Sequence, residues 1–189
     1  MIISLAGLPG SGKSTVKNLL AETLGLKKYS MGDLRGKMAL ERGMTIDEFT
    51  ALGQTQDFTD KEADAFQTTL GQKEDGFIID GRLSWHFIPQ SFKIFLDVDL
   101  DEAARRIYQA RMQDPESRKD ELEYGSPEEA KQAIETRLAS DSARYQKWYG
   151  LDYLDRGNYD LVIDTTHIPP KEVTARILSA LSSRVEATP

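Results

Sequence analysis

Residues 7–14 read Gly-Leu-Pro-Gly-Ser-Gly-Lys-Ser, a full match to the pattern G-x-x-x-x-G-K-[ST]. An apolar run, Met1-Ile2-Ile3-Ser4-Leu5-Ala6, leads into it, and a helical pattern from Thr15 to Leu24 follows. No other feature restricts the fold as strongly. A buried strand must aim the loop, and the next helix must offer its N-terminus, whose free N–H groups and dipole favour anions. Gly7, Gly10 and Gly12 lack a Cβ, so the chain can take positive φ there and close its N–H groups around phosphate oxygens. Leu8, Pro9, Ser11 and Thr15 complete the donor-phosphate cradle. Lys13 is expected to reach the terminal phosphates of a nucleotide, and the Ser14 hydroxyl to ligate Mg²⁺. The blander alternative is a glycine-rich turn capping a helix, with Ser11 as N-cap. A complete match between a strand and a helix favours nucleotide binding.

The 189 residues suffice for one α/β domain, expected to span 1–189, with modest insertions. Lys and Arg number 24 against 31 Asp and Glu, a net charge of −7. That balance disfavours nucleic-acid binding, which draws on a basic surface. Small anionic substrates stay open where arginines converge. The absence of cysteine excludes disulfides and thiolate zinc sites. No apolar stretch approaches membrane-spanning length. The apolar N-terminus lacks a basic leader and flows into the phosphate loop, so a core strand is expected rather than a signal peptide. A cytoplasmic location follows as the expectation.

Strand-like runs alternate with helical patterns, the signature of a parallel sheet with crossovers. The candidates are Met1–Ala6, Lys27–Ser30, Phe77–Asp80, Phe92–Asp97 and Tyr159–Asp164. Their carboxyl ends place Gly7, Gly32, Asp80 and Asp97 at the edge where open α/β sheets bind ligands. Two stretches break the alternation. Residues 33–74 hold about two helices' worth of polar sequence with a capping box at Thr45-Ile46-Asp47-Glu48, and 112–150 is highly charged, with Pro115 and Pro127 opening helical segments. Both are expected as helical insertions over the catalytic edge. Pro169–Val185 reads as a closing amphipathic helix.

Beyond the loop, Ser30-Met31-Gly32-Asp33-Leu34-Arg35 follows the second strand; Asp33 can cap the next helix, and Arg35 can hold a phosphate bidentately or lie solvated. Phe77-Ile78-Ile79-Asp80-Gly81-Arg82 ends in a carboxylate that can orient Mg²⁺ through a water or polarise an acceptor, with Arg82 where an acceptor phosphate would lie. Arginines are dense around the second insertion: Arg105, Arg106, Arg111, Arg118, Arg137 and Arg144. Arg137 and Arg144 share a helix face with Asp141 between them. Most can be salt-bridged surface residues. Phosphoryl transfer nonetheless needs cations over the migrating group, and Arg106, Arg111, Arg137 and Arg144 form the candidate pool. His86 and His167 stand in no metal-ligand spacing.

This arrangement resembles the nucleoside monophosphate kinase family, and within it the short, archaeal type of cytidylate kinase. The segments that carry the likeness are Glu41-Arg42-Gly43-Met44-Thr45-Ile46-Asp47-Glu48-Phe49, Asp80-Gly81-Arg82-Leu83 and Arg137-x₆-Arg144-Tyr145-x₃-Tyr149-Gly150-Leu151-Asp152. The resemblance implies a P-loop NTPase fold, a five-stranded parallel sheet flanked by helices. A helical NMP-binding insertion (33–74) and a helical lid (112–150) would be set on it. It also implies a monomer that moves the γ-phosphate of ATP, with Mg²⁺, to CMP or dCMP. Carried over by position, Gly7 to Ser14 hold the donor phosphates, Arg35 and Arg82 the acceptor phosphate with Asp33 and Gly81 beside them, and the lid arginines the transition-state charge. Asp60 and Asp64, an i,i+4 pair, can face the base and accept from an exocyclic amine, or form a solvated acidic face. Other acceptors on the same scaffold (UMP, AMP, shikimate) and a non-catalytic ATP-binding module are the rival readings. A GTPase switch is disfavoured by the lack of an Asn-Lys-x-Asp element.

Overall fold

Largely apolar runs form the inner strands because both faces of the sheet are covered by helices. Ile3, Leu5, Ile78, Ile79, Ile94, Phe95 and Leu96 are all fully buried. In the computed structural model, residues 1–53, 55–56, 58–113 and 124–186 are described. The strands are β1 (Ile2–Gly7), β2 (Lys27–Ser30), β3 (Phe77–Asp80), β4 (Phe92–Asp97) and β5 (Leu161–Asp164). They lie in the order β2-β3-β1-β4-β5, each neighbouring pair parallel. The register sets Leu5 and Ser30 beside Asp80, Gly7 beside Leu96, and Asp97 beside Asp164. All five carboxyl ends therefore meet at one edge, and β1, with its phosphate loop, is central. The five expected strands are present. The last begins at Leu161 because Arg156–Asn158 form a 3-10 turn and Tyr159 packs against Trp85 and Phe95.

Eight helices among the described residues cover the sheet: α1 (Lys13–Leu24), α2 (Met31–Glu41), α3 (Ile46–Leu52), α4 (Phe58–Lys73), α5 (Ser84–Phe87), α6 (Leu100–Gln113), α7 (Pro127–Tyr149) and α8 (Pro170–Glu186). On one face Val16 and Leu20 of α1 and Val173, Ile177 and Leu181 of α8 pack on Ile3, Leu5 and Ile94. On the other, α6 and α7 bring Ala103, Ile107, Ala130, Ile134 and Tyr145 onto Phe95. No described helix is long and apolar enough to cross a membrane.

The insertion at 33–74 carries three helices rather than about two. The first starts at Met31 because Ser30, not Asp33, is its N-cap: Ser30 Oγ accepts from the Asp33 N–H at 3.3 Å. Asp33 instead lies exposed in the first turn, where its charge suits the helix dipole. The Thr45–Glu48 capping box forms as the sequence indicates. Thr45 Oγ1 accepts from the Glu48 N–H at 3.2 Å, and Glu48 Oε2 accepts from the Thr45 N–H at 2.7 Å. The insertion is anchored to the sheet through Met31, Met38, Phe49, Ala63 and Leu70, which share a core cluster with Phe77 and Ile79.

The span 112–150 divides. It opens with the end of α6; Pro115 and Arg118 lie outside the described residues; and α7 follows from a Ser126 N-cap with Pro127 in its first turn. α7 runs along α6 and contributes to the core, so its C-terminal half is a fixed wall.

Candidate active site

The phosphate loop is shaped by its glycines. Gly7, Gly10 and Gly12 have φ of 149°, 77° and 84°. A Cβ on Gly7 would run into the Leu96 backbone and one on Gly10 into the Ala103 backbone, whereas one on Gly12 would meet nothing within 4 Å. The first two glycines let the loop sit tight on β4 and α6; the third faces open space before α1. Gly12 is also the N-cap of α1 and supplies no side-chain cap, so Ser11 is not the cap. The first N–H groups of α1 are thus left for an anion. Ser11 Oγ is buried without a hydrogen-bond partner. Lys13 Nζ folds back over the loop, donating to the carbonyls of Gly7 (3.0 Å) and Leu8 (2.7 Å). Ser14 and Thr15 lie exposed on the first turn.

Arg106 braces this loop from behind. From α6 it donates to Gly10 O at 3.3 Å, Thr165 O at 2.8 Å and Thr166 O at 3.0 Å, and its Nε meets Glu102 at 2.7 Å. It ties the loop to the segment after β5. Beside that segment a cleft of about 510 Å³ is lined by Asp99, Asp101, Glu102, Arg105, Asp164, Thr166 and His167.

Asp80 ends β3 beside β1. Its Oδ2 pairs with Lys17 Nζ at 3.1 Å, and Oδ1 is buried without a partner. Lys17 is itself buried, one helical turn beyond Lys13, and also approaches the Tyr29 carbonyl at 3.5 Å. Sequence reasoning did not single it out. The donor set fits Mg²⁺, which is held by one or two protein oxygens plus substrate phosphates rather than by an all-protein cage. Ser14 Oγ and Asp80 Oδ1 are such oxygens, and no group of three or more His, Cys, Asp or Glu suited to a metal occurs among the described residues.

Next to Asp80 an alternating chain of charge joins three helices and the turn after β3. Arg35 of α2 pairs with Asp60 of α4 through a short contact, and also donates to Thr59 O at 3.1 Å. Asp60 Oδ2 lies 3.4 Å from Arg144 Nε. Arg144 Nη2 lies 3.0 Å from Asp141 Oδ1, and Asp141 Oδ2 lies 2.8 Å from Arg82 Nη2. The order is Arg35–Asp60–Arg144–Asp141–Arg82. Asp60, Asp141 and Arg144 are nearly fully buried. Aromatic rings floor the chain: Phe49 under Arg35 (5.3 Å), Tyr145 under Arg144 (4.9 Å) and Tyr153 under Arg82 (5.9 Å). Arg35 Nη2 and Arg144 Nη1 are buried without a hydrogen-bond partner among the described residues. Buried polar groups are ordinarily satisfied, so these two orphan donors single the cluster out as a candidate site.

One face of α7 covers the cluster. Asp141, Arg144, Tyr145, Trp148 and Tyr149 fall at i, i+3, i+4, i+7 and i+8, one helix stripe. Trp148 Nε1 donates to Gly53 O at 3.1 Å, and the Tyr149 hydroxyl donates a short bond to Asp64 Oδ2. Gln67 Nε2 donates to Asp64 Oδ1 at 3.2 Å, and Ser84 Oγ donates to Gln67 at 2.8 Å. Burial pushes the Asp64 carboxyl up to about 6, against the pull of the Tyr149 and Gln67 hydrogen bonds. Burial and the Asp64 charge in turn raise Tyr149 well above the ordinary phenol range.

Of the sequence-derived candidates, the structure brings together Arg35, Asp60, Arg82 and Arg144, with Asp64 on the next turn of α4. Gly81 sits beneath them, its N–H bonded to Leu5 O at 3.1 Å and a Cβ there barred by Met31 and Ser84. Asp60 and Asp64 are not a solvated acidic face. Arg111 lies in the last turn of α6 and Arg137 is exposed on α7. Asp141, Tyr149, Tyr153 and Lys17 are site neighbours that sequence reasoning did not assign.

A family profile described as the cytidylate kinase-like family matches residues 2–167. A cytidylate kinase of Methanobrevibacter smithii is 35% identical over 181 residues, covering 96% of this chain and 98% of that protein. One of Methanocella arvoryzae is 33% identical over 187 residues, covering 99% and 100%. Among solved structures, a shikimate kinase from Acinetobacter baumannii in complex with shikimate superposes with a TM-score of 0.61 at 16% identity, over 97% of this chain and 93% of that one. At that identity the likeness concerns the fold alone, a P-loop kinase sheet flanked by helices. The chain belongs to the cytidylate kinase-like family.

Proposed function

We propose that the chain is an ATP-dependent nucleoside monophosphate kinase that transfers the γ-phosphate of ATP to CMP or dCMP. The observation that carries this reading is the convergence of Arg35, Arg82 and Arg144, from three separate elements, at the sheet edge that also bears the phosphate loop. Residues Gly7 to Thr15 hold the donor phosphates, with Lys13 leaving its loop carbonyls to meet them. Arg35 and Arg82 hold the acceptor phosphate, with Asp33 and Gly81 framing it. Mg²⁺, held through Ser14 and Asp80, would neutralise charge on the donor phosphates.

The acceptor oxygen is already anionic, so no strong general base is required. The new bond joins that oxygen to the γ-phosphorus as the bond to the β-phosphate oxygen breaks. Charge spreads over the transferred group, and fixed cations lower the barrier. Arg144 is assigned to the acceptor and the migrating group, Arg111 and Arg137 are the further lid cations, and Arg106 fixes the loop. Asp64 is assigned to accept from the exocyclic amine of cytosine, whereas Asp60 is held between two arginines. The protein is proposed to work as a cytoplasmic monomer and not on nucleic acid, in keeping with its net charge of −7.

Arg82→Ala tests the acceptor assignment. The KM for CMP is expected to rise by roughly tenfold or more while the KM for ATP holds, since a charge-assisted contact is worth about 1.5–3 kcal/mol. An effect confined to ATP would overturn the assignment.

A further inference from the structure

We infer that Asp60 and Asp141 are specificity-determining residues that shut bare phosphate out of the acceptor site. This rests on the reading of Arg35, Arg82 and Arg144 as that site. Three guanidinium groups brought together at largely buried positions would make a strong trap for any small dianion. Orthophosphate and every phosphorylated metabolite would compete for it, and none carries a base to be read. The structure places a carboxylate in each gap of the cluster. Asp60 lies between Arg35 and Arg144, and Asp141 between Arg144 and Arg82. The two aspartates reduce three positive charges to a net of one. Both are nearly fully buried, so their field is weakly screened by solvent.

Neither carboxylate exhausts the cluster. Arg35 Nη2 and Arg144 Nη1 have no hydrogen-bond partner among the described residues, and Arg144 Nε meets Asp60 only at 3.4 Å. A phosphate that reaches these donors does so against two fixed negative charges within a few ångströms. A dianion gains from its contacts to the free donors and loses to Asp60 and Asp141. Only a ligand with a second point of attachment makes up the difference. That attachment is available one turn along α4, where Asp64 is held by Tyr149 and Gln67. Phosphate and base must bind together, and phosphate alone does not suffice.

A contrary role is open to the same residues. If the aspartates served only to hold the arginines in place, removing one would weaken phosphate binding. The sign of the change separates the two. Asp141→Asn and Asp60→Asn preserve side-chain shape and remove one negative charge each. Orthophosphate binding to the full-length protein, without nucleotide, is measured by calorimetry and as competitive inhibition against CMP. The expected result is at least a roughly tenfold tighter orthophosphate Kd in each variant, since a unit charge a few ångströms from a dianion is worth more than that at an effective dielectric near 20. Unchanged or weaker orthophosphate binding in a folded variant overturns the inference. The wild-type protein gives a second test that needs no variant. It should bind orthophosphate no better than millimolar, and sub-millimolar binding at the CMP site overturns the inference.

Arg82→Ala, run alongside, separates this inference from the site it rests on. Lost CMP binding in Arg82→Ala, with no gain of orthophosphate affinity in the aspartate variants, overturns the threshold alone. Intact CMP binding in Arg82→Ala overturns both.

Discussion

Replacing Arg144 by Met removes the centre of the charge chain. Arg144 is 2% exposed and lies 3.4 Å from Asp60 and 3.0 Å from Asp141. Methionine replaces the apolar stem but leaves both carboxylates one cation short. Removing a partner from a buried ion pair costs about 3–5 kcal/mol. Here Asp60 keeps Arg35 and Asp141 keeps Arg82, which sets the expectation near the lower end, about 3 kcal/mol. For a chain of this length each kcal/mol moves Tm by about 2–4 °C, so a fall of about 6–12 °C is expected. The assay is urea and thermal unfolding followed by circular dichroism. Because the groups share one network, the double variant Arg144→Met with Asp141→Asn should lose less than the sum of the single variants. A single-variant loss under about 1 kcal/mol, or strict additivity in the cycle, would refute the coupled network.

Two further outcomes follow from the same geometry. Arg106→Ala removes the brace between Gly10 O and the Thr165–Thr166 carbonyls. The KM for ATP should rise by roughly tenfold with little change for CMP, since charge-assisted hydrogen bonds are at stake; the reverse pattern in steady-state kinetics would contradict the loop-bracing role. Asp64 should make stability depend on pH. Its carboxyl is raised from 3.8 to about 6, so the folded state holds its proton more tightly than the unfolded state. That contribution is complete below pH 3.8 and is lost as pH rises to about 6. The shift corresponds to about 3 kcal/mol, reduced to about 2 kcal/mol because the group is partly exposed. Asp64→Asn cannot titrate, so from pH 4 to pH 7 it should gain about 2 kcal/mol relative to wild type. Urea unfolding at both pH values checks this, and parallel pH dependence in the two proteins would contradict it.

The sheet was legible because its signal is local. Four of the strands are short, largely apolar runs ending in a turn or carboxylate, with Lys27–Ser30 the polar exception, and the phosphate loop dictates what lies on either side of it. Capping at Thr45–Glu48 and the Pro127 start of α7 were legible for the same reason. What the sequence concealed is long-range pairing. Nothing local shows that Asp60 meets Arg144, 84 positions away, or that Tyr149 reaches Asp64. The i,i+4 spacing of Asp60 and Asp64 is compatible with a solvated face and with a buried pair; only the packing of α7 over α4 decides. Asp141 was visible between two arginines, yet its second partner, Arg82, comes from the far end of β3. Lys17 was hidden by its type, since a lysine in a helix is ordinarily exposed and this one is drawn inward by Asp80.

The central claim is phosphoryl transfer from ATP to a cytidine monophosphate. Its most direct test is ADP release measured with ATP, Mg²⁺ and, in turn, CMP, dCMP, UMP, AMP, GMP and shikimate. Strong turnover with CMP and dCMP, and little with the other acceptors, is the predicted result. Preferred turnover of a different acceptor, or silence across the panel by a protein that still binds ATP, would contradict it.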